Sequence, residues 1–189
     1  MRLSLLKFVR SKFTKENERK SREMKTLMKT TEFKKVLIAL DYDPSSVKVA
    51  EKGYALAKTL GAKIVLIHVL YEPVYYSSLE YSPIVGFNDP MNIGTFRTDT
   101  IQGLMEAAQH FLDKTKHHLA DESIETILEK GETADSILKV AKKLKADIIV
   151  LGTHSRKWLE NILMGSVTEH VLKHSTLPLF IVPTKKKVE

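Results

Sequence analysis

Two glycine-containing segments in the last third of the chain have the composition of a phosphate-binding loop. The first, Gly152 to Ser155, is followed after nine residues by the second, Gly165 to Thr168. Glycine lets a backbone approach a phosphate closely, and a helix start supplies unpaired N–H groups together with the positive end of the helix dipole. Ser166 and Glu169 also fit an S-x-x-E capping box, in which the same residues would only cap a helix. The segments alone therefore allow two interpretations, a phosphate site or a structural cap.

A pair of acidic residues, Asp41 and Asp43, follows the apolar run Val36 to Leu40. Asp43 stands directly before Pro44, so we expect Asp43 to cap a helix and Pro44 to occupy its first helical position. Asp41 is then left at the end of a strand. There its carboxylate can accept hydrogen bonds from ribose hydroxyls or face a magnesium ion.

Short runs rich in Val and Ile alternate with longer segments of helical periodicity from Lys34 onward, which is the pattern of βαβ units on a parallel sheet. The predicted strands are Val36 to Leu40, Ile64 to Leu70, Ile124 to Leu128, Ile148 to Leu151 and Pro178 to Pro183. Gly61 is expected to end the first helix, and further helices are predicted from about Asp99 to Leu119, around residues 134–144 and from Gly165. The mixed polarity of the third strand suits an edge of the sheet. These elements predict one α/β domain, a doubly wound five-stranded parallel sheet with helices on both faces, which binds ligands beyond the carboxyl ends of its strands.

The segment from Tyr71 to about Thr98 contains three prolines and two glycines. These residues interrupt regular structure, so we predict a surface loop or lid. Trp158 lies inside the candidate phosphate loop. We expect Trp158 to contribute packing, with a lid over a bound nucleotide as the alternative.

The net charge of +7 is concentrated at the amino terminus. Residues 1–31 hold ten Lys or Arg and three Glu, which leaves 20 residues of each sign in the remainder. The folded part is therefore electrically balanced, and we expect no nucleic-acid partner. We predict a flexible basic extension over residues 1–31, the domain over residues 32–184 and a basic tail over residues 185–189. Leu5 and Phe13 belong to a weak version of a membrane-surface helix, and we do not expect the extension to bind a membrane.

The chain contains no cysteine. This composition removes disulfides, thiolate catalysis and cysteine-ligated zinc, and it suits a reducing cytoplasm, which is the location we expect. The longest apolar runs are far shorter than the roughly 20 residues needed to span a bilayer. They are therefore interpreted as core strands.

The two glycine-containing segments resemble the universal stress protein family, whose signature is a glycine, two residues, a glycine, nine residues, then a glycine and a hydroxyl residue. In this chain the signature reads Gly152, Ser155, then Gly165-Ser166, with the nine-residue spacing kept and one glycine replaced by serine. Further matching blocks extend the resemblance over nearly everything from Phe33 to Pro183. Several matched blocks in the right order are more specific than one glycine motif.

The resemblance implies a sheet ordered 3-2-1-4-5, a homodimer and, in the nucleotide-binding branch, ATP held between the ends of the first, second and fourth strands. By position, Ala39 and Asp41 would line the ribose side, and Val69 would meet adenine through its backbone. The residues that would hold the phosphates and their surroundings are Leu151, Gly152, Ser155, Gly165, Ser166, Val167 and Thr168. The expected cofactor is ATP, ADP or AMP, accompanied by Mg²⁺ or Mn²⁺ at Asp41. The homodimer is expected to form largely through the apolar last strand, Leu179 to Val182.

Ser155 is the departure from the family pattern that bears on function, because one branch of the family has lost nucleotide binding along with its glycines. A serine held at positive φ is strained and its Cβ would crowd the phosphates, whereas its hydroxyl could instead donate to one. Three functions therefore remain: an ATP-binding stress-response or regulatory protein acting through its dimer or an unidentified protein partner, a nucleotide-independent interaction module, or a weak ATPase. The intact Gly165-Ser166 favours the first, and no residue is an obvious base to activate water for hydrolysis.

The histidines have simpler explanations than catalysis or metal binding. His68 lies within a predicted core strand next to the candidate adenine contact, and we expect a hydrogen-bonded core histidine there. His170 and His174 are four residues apart on the last helix and could ligate a metal. No third ligand is evident in the sequence, so solvated imidazoles near a helix end are the simpler interpretation. The three histidines of the helix over residues 99–119 are expected at the surface.

Overall fold

The computed structural model describes residues 16–21, 33–71, 100–153 and 165–184 of the 189-residue chain. Contacts divide the chain into two units, Met1–Glu32 and Phe33–Glu189. In the first unit, residues 16–21 are helical and Lys20 Nζ lies 3.7 Å from Glu16 Oε1. The following predictions concern residues outside the described ranges: the rest of the basic extension, the loop or lid beyond Tyr71, Ser155, Trp158 and the basic tail.

The second unit alternates strands and helices. The strands are β1 (Lys35–Ala39), β2 (Lys63–Leu70), β3 (Glu125–Lys130), β4 (Ile148–Thr153) and β5 (Leu179–Pro183). The helices are α1 (Ser46–Leu60), α2 (Ile101–His118), α3 (Thr133–Leu144) and α4 (Ser166–His174). All strand pairs are parallel and the order is β3-β2-β1-β4-β5, which confirms the predicted fold class and sheet order. Within the described ranges, no helix is both long and apolar enough to cross a membrane.

Each face of the sheet carries two helices. Successive residues of a strand point to opposite faces, so Ile38 packs with α1 and α2 on one face while Leu37 packs with α3 and α4 on the other. Both residues are fully buried. Burial on both faces explains why the central strands are continuous apolar runs without polar alternation.

Helix α1 ends where the sequence predicts but begins later than predicted. Gly61 adopts a φ of 65°, in the left-handed region that favours glycine at a helix end. At the other end the N-cap position is Ser45, and Pro44 precedes the helix. Asp43 Oδ1 instead accepts a hydrogen bond from the Ser45 N–H at 2.8 Å. The prediction that Asp43 caps the helix is therefore wrong, because its short side chain closes a local turn two residues on.

The two edges of the sheet differ in polarity. β3 forms one edge and ends in the exposed charges of Glu125 and Lys130, which confirms its predicted edge position. β5 forms the other edge and is apolar. Phe180 is 38% exposed there, and Leu179 and Ile181 are half-buried.

Candidate functional site

The direction of strand order reverses at β1. The chain runs outward from β1 to β2 and β3, then crosses back to β4 and β5 on the other side of β1. Helices α1 and α2 cover one face and α3 and α4 the other, so the connections after β1 and β4 leave toward opposite faces. Such a reversal opens a crevice at the carboxyl edge of a parallel sheet. The predicted residues that follow or end these strands at this edge are Ala39, Asp41, Val69, Leu151 and Gly152.

Asp41 lies just beyond the end of β1. Its side chain is exposed, and its Oδ1 accepts a hydrogen bond from the Asp43 N–H at 3.2 Å. Ala39, the last residue of the strand, is half-buried and pairs with Ile67 of β2. The structure thus places an exposed carboxylate at the strand end, with its orientation supported by the local turn.

Val69 presents its backbone to the space beyond β1. Leu40 N–H donates to Ile67 O at 2.9 Å, so the backbone of Ile67 faces β1. Backbone groups two residues apart along a strand face the same neighbour, so those of Val69 also point toward the β1 side. The paired region of β1 ends at Ala39, opposite Ile67, and therefore stops before Val69. The side chain of Val69 is buried on the face that carries α3 and α4.

Gly152, near the end of β4, is required by packing. A Cβ at this position would lie 2.8 Å from Val49 Cγ2 of α1 and 3.2 Å from Thr184 Cγ2. Crowding by these two side chains explains the glycine at position 152, and the glycine signature alone did not reveal this explanation. The carbonyl of Gly152 accepts a hydrogen bond from Thr168 Oγ1 at 2.9 Å, which fastens the end of β4 to the first turn of α4. Leu151 beside it is 3% exposed.

The start of α4 carries no side-chain cap. Gly165 is the N-cap residue, Ser166 is the first helical residue, and the first intrahelical bond runs from Glu169 N–H to Gly165 O at 2.9 Å. The alternative interpretation as a capping box is therefore wrong, because it requires the serine at the N-cap position, one residue earlier. The Glu169 carboxylate lies 2.6 Å from Lys173 Nζ instead.

Neither strain nor crowding by a described residue demands glycine at position 165. Its φ is −56°, which any residue adopts, and a Cβ there would meet none of the described atoms within 4 Å. Ser166 is exposed, Val167 is half-buried, and Thr168 is 3% exposed with its hydroxyl engaged by β4. The N–H groups at the start of a helix precede the first intrahelical bond and so point outward. Helices α1 and α3 also lack a side-chain cap, so the position of α4 beside the end of β4 is what sets it apart.

His68 is a hydrogen-bonded core histidine, as predicted. It is 4% exposed, and its Nδ1 lies 2.8 Å from Leu40 O. Its ring contacts Tyr42 at 4.3 Å and Phe111 at 5.7 Å between ring centroids. Burial, the largest influence, lowers the pKa of the His68 imidazole from its ordinary value of 6.5, against smaller opposing effects of the Leu40 carbonyl and the Asp41 charge. The sequence predicted a core position but not this contact with the residue that precedes Asp41.

The remaining histidines are arranged on the outer helices. His170 Nε2 lies 3.1 Å from Asp135 Oδ1 of α3, and His174 Nδ1 lies 2.8 Å from the His170 carbonyl. On α2, His117 and His118 are exposed, whereas His110 is half-buried, contrary to the predicted surface position. In the part of the chain that the structure describes, no group of three His, Cys, Asp or Glu side chains could hold a metal ion.

Comparisons with known proteins agree with this geometry. Residues 32–183 match the model of the Universal stress protein family. Universal stress protein MJ0531 of Methanocaldococcus jannaschii is 34% identical over 158 residues, covering 82% of this chain and 85% of the relative. Universal stress protein MJ0577 of the same organism is 30% identical over 157 residues, covering 81% of this chain and 96% of the relative.

Solved structures share the fold. The structure of MJ0577 superposes on this chain with a TM-score of 0.60 at 26% identity. The match covers 83% of this chain and 100% of that one. A universal stress protein crystallised in complex with cAMP gives a TM-score of 0.51 at 20% identity, covering 82% of this chain and 100% of that one, and shows likeness of fold. The sheet order, a relative that is 34% identical and a family match spanning residues 32–183 lead to one conclusion: this chain belongs to the universal stress protein family.

Proposed function

We propose that this protein binds one adenine nucleotide, ATP or its relatives ADP and AMP, per subunit in the crevice at the carboxyl edge of the sheet, and that it acts as a stress-response regulator. The observation that carries the proposal is the meeting of three features at this edge: an exposed carboxylate after β1, a β2 backbone that extends past the paired end of β1, and an uncapped helix start joined to the end of β4. Ligands of open α/β sheets bind at such a reversal of strand order.

The phosphates are assigned to the start of α4. Backbone N–H groups and the positive end of the helix dipole favour an anion there. Gly165 needs glycine for neither backbone strain nor packing against described residues, so the close approach of a ligand is a reason for its lack of a side chain. The Thr168 hydroxyl donates its hydrogen bond to Gly152 O, so the role of Thr168 is to hold the start of α4 beside β4. Ser166 and Val167 supply the remaining phosphate contacts, with Ser155 assigned to the same loop.

Adenine and ribose are assigned to the ends of β1 and β2. The backbone N–H and C=O of Val69 offer one donor and one acceptor, which suits the edge of an adenine ring. Ala39 is small enough to leave room for ribose, and Asp41 can accept hydrogen bonds from its hydroxyls. Leu151, which is 3% exposed at the end of β4, is assigned to the apolar surroundings of the nucleotide.

A magnesium or manganese ion would enter with the nucleotide. Mg²⁺ is commonly held by one or two carboxylates together with phosphate oxygens and water. Asp41 is an exposed carboxylate in a suitable position, and the described residues contain no three-ligand metal cluster that would hold the ion by itself.

The relatives support the class of ligand. A universal stress protein of this fold has been crystallised in complex with cAMP, so the fold accommodates an adenine nucleotide. With no catalytic base assigned, we place this protein among binding proteins, with slow ATP hydrolysis as the alternative that turnover assays would detect. The absence of cysteine suits the cytoplasm.

Calorimetry of nucleotide-free protein tests the proposal. Titration with ATP and Mg²⁺ is expected to give saturable binding with one site per subunit. If no ATP, ADP or AMP binds at about millimolar concentration, the proposal is overturned in favour of a nucleotide-independent interaction module. Phosphate release in the same mixture distinguishes a binder from a weak ATPase.

Ser166→Ala separates a phosphate contact from a helix cap. Because Ser166 is the first helical residue and not the cap, its loss should change the free energy of unfolding by no more than about 0.5 kcal/mol. A hydroxyl that contacts phosphate should nevertheless weaken ATP binding by about tenfold when removed.

Thr100→Ala is the matched control, because Thr100 Oγ1 accepts the Gly103 N–H at 3.0 Å and caps α2. It should cost about 1 kcal/mol of stability without changing affinity. An unchanged affinity of the Ser166→Ala variant would remove Ser166 from the phosphate site.

We also propose a homodimer through β5, because an exposed apolar edge strand invites pairing. β5 carries the half-exposed residues Leu179, Phe180 and Ile181, whereas the opposite edge strand β3 carries charges. The dimer gives the nucleotide a surface through which it can act on an unidentified protein partner. Light scattering at about 20 μM should give twice the subunit mass, and Phe180→Lys should give a monomer. A monomeric wild-type protein at that concentration would refute the dimer without touching the nucleotide site.

A further inference from the structure

We propose that His68 is a positioning residue of the nucleotide site: its imidazole holds the Leu40 carbonyl, which fixes the position of Asp41 and keeps the Val69 N–H out of the β1–β2 ladder. The inference rests on the nucleotide site proposed above and adds a residue to it that lies beneath the crevice. His68 lies on the face of the sheet covered by α1 and α2, whereas the side chain of Val69 lies on the other face.

The hydrogen bond determines the protonation state of the ring. A carbonyl oxygen can only accept, so Nδ1, which lies 2.8 Å from Leu40 O, must carry the proton. Nε2 is then a lone pair, and it is buried without a hydrogen-bond partner in the described part of the chain. A second proton, on Nε2, would make the buried ring a cation with an unpaired donor, which costs more than a neutral ring. Burial, which lowers the pKa of His68, acts in the same direction and keeps the ring neutral.

The same hydrogen bond ends the β1–β2 ladder. Leu40 N–H donates to Ile67 O, so the next bond of a regular parallel ladder would run from Val69 N–H to Leu40 O. That oxygen is held by the His68 imidazole instead, and among the described residues it accepts from no backbone donor. The His68 side chain thus replaces the Val69 backbone N–H as the hydrogen-bond partner of the Leu40 carbonyl. Val69 N–H is left for a ligand at the point where the family resemblance assigns adenine.

Aromatic packing holds the imidazole in this place. The His68 ring lies 4.3 Å from the Tyr42 ring and 5.7 Å from the Phe111 ring, and Tyr42 and Phe111 are themselves 5.2 Å apart between centroids. Tyr42 is 3% exposed and Phe111 is 2% exposed. Leu40 and Tyr42 flank Asp41 in the chain, so His68 contacts the residue on each side of it. Holding both neighbours fixes the exit direction of the Asp41 side chain.

Two substitutions separate positioning from filling of the core. In His68→Asn the side-chain amide nitrogen is attached to the γ carbon, as Nδ1 is in histidine, so the hydrogen bond to Leu40 O can be kept. In His68→Leu the apolar volume is kept and the donor is lost. Calorimetry with ATP and Mg²⁺ should show that His68→Leu binds about tenfold more weakly than wild type, while His68→Asn retains most of the affinity.

Two measurements without nucleotide test the same hydrogen bonds of Val69 and His68. Amide hydrogen exchange should be slow at Val69 only if a ladder bond forms there, so exchange at Val69 should slow in His68→Leu as its N–H takes the vacated carbonyl. It should stay fast in wild type and in His68→Asn. Nitrogen NMR of the wild-type imidazole should show the proton on Nδ1. This last measurement needs no variant and remains decisive if His68→Leu fails to fold.

Three outcomes would overturn the inference: a proton on Nε2 in the wild-type ring, unchanged affinity in a folded His68→Leu protein, or a loss in His68→Asn equal to that in His68→Leu. If wild-type protein binds no adenine nucleotide, the proposed function fails by itself. The exchange and NMR measurements then still decide whether His68 sets the end of the β1–β2 ladder.

Discussion

The ends of β1 and β4 flank the same crevice and are fastened in the same way, by a side-chain donor on a strand-end carbonyl. His68 Nδ1 lies 2.8 Å from Leu40 O at the end of β1, and Thr168 Oγ1 lies 2.9 Å from Gly152 O near the end of β4. Both donors are buried, and each belongs to an element other than the one that it holds. Side-chain donors thus bind the strand-end carbonyls at the two places where the backbone ladders next to the proposed ligand site end.

The two fastenings differ in chemistry. Thr168 has a hydroxyl that does not titrate near neutral pH, and it joins β4 to a helix. The imidazole of His68 titrates, packs between aromatic rings and joins β1 to a neighbouring strand. We therefore expect the β1 end to depend on core packing and on pH, and the β4 end to depend mainly on one hydroxyl.

Phe111→Ala should have the largest effect, because it removes the ring against which His68 and Tyr42 pack. Truncation of a buried Phe costs about 3–5 kcal/mol in the free energy of unfolding. Ile101→Ala on the same helix is the control, since Ile101 is 55% exposed and should change stability by about 0.5 kcal/mol or less. Urea unfolding measures both. A cost for Phe111→Ala as small as the control would show that the β1 end does not rely on this packing.

Thr168→Val tests the β4 end. The substitution keeps the shape of the side chain but leaves the Gly152 carbonyl without its donor, which should cost about 1–3 kcal/mol of stability. Thr168→Ser keeps the hydroxyl and should restore most of the loss. Urea unfolding of the three proteins gives the comparison. Equal stability of the Val and Ser variants would mean that the hydroxyl does not hold the two segments together.

Acid should weaken the β1 end selectively. Burial lowers the pKa of His68 in the folded protein below 6.5, so the unfolded chain binds the proton more readily. The contribution of neutral His68 to stability is therefore complete above about pH 6.5 and declines as the pH falls toward the lower folded pKa. His68→Asn should flatten this decline below about pH 6.5, as measured by urea unfolding, whereas Thr168→Ser should leave it unchanged. A decline of the same slope in His68→Asn would assign the acid sensitivity to other groups.

The smallest effect is expected at the amino edge of the sheet, away from both strand ends. Hydrogen bonds from the Ser123 hydroxyl, followed by Lys58, lower the pKa of Asp121 from 3.8 to about 2. Because the pKa of Asp121 is lower in the folded protein, its carboxylate adds stability that is complete above about pH 3.8 and is lost as the pH falls toward about 2. The Lys58 side chain is 57% exposed, so solvent reduces this contribution.

Asp121→Asn should lower the unfolding temperature slightly at neutral pH and converge with wild type near pH 2, without changing ATP affinity. Thermal unfolding at both pH values and calorimetry check the two parts. A change in affinity would mean that the amino edge communicates with the crevice.

Much of the fold was predictable because its signals are local. Apolar runs located the five strands to within a few residues, and Gly61 marked the end of α1. The start of α1 was misplaced because an aspartate before a proline can close a turn as readily as it can cap a helix. The sheet order rested on the family resemblance, since periodicity does not order strands.

The site was less predictable because its contacts join distant parts of the chain. His68 reaches Leu40, which is 28 residues away, and Thr168 reaches Gly152, which is 16 residues away. Neither spacing has a periodic signature. Gly152 was interpreted as a phosphate-facing glycine, although side-chain crowding by Val49 and Thr184 already requires a glycine there. Whether the predicted ligand residues hold a nucleotide stays a prediction for the titrations above.

Gly53 offers a route to alter the crevice without changing any residue that faces it. A Cβ at this position of α1 would lie 2.7 Å from Ile38 Cδ1 of β1 and 3.2 Å from Val150 Cγ1 of β4. Helix α1 therefore packs directly on the two strands that flank the proposed nucleotide site. Alanine at position 53 adds the smallest side chain at this contact, and serine adds the next smallest. Substitution at this helix position would therefore bear on both strands at once, through the side chains of Ile38 and Val150.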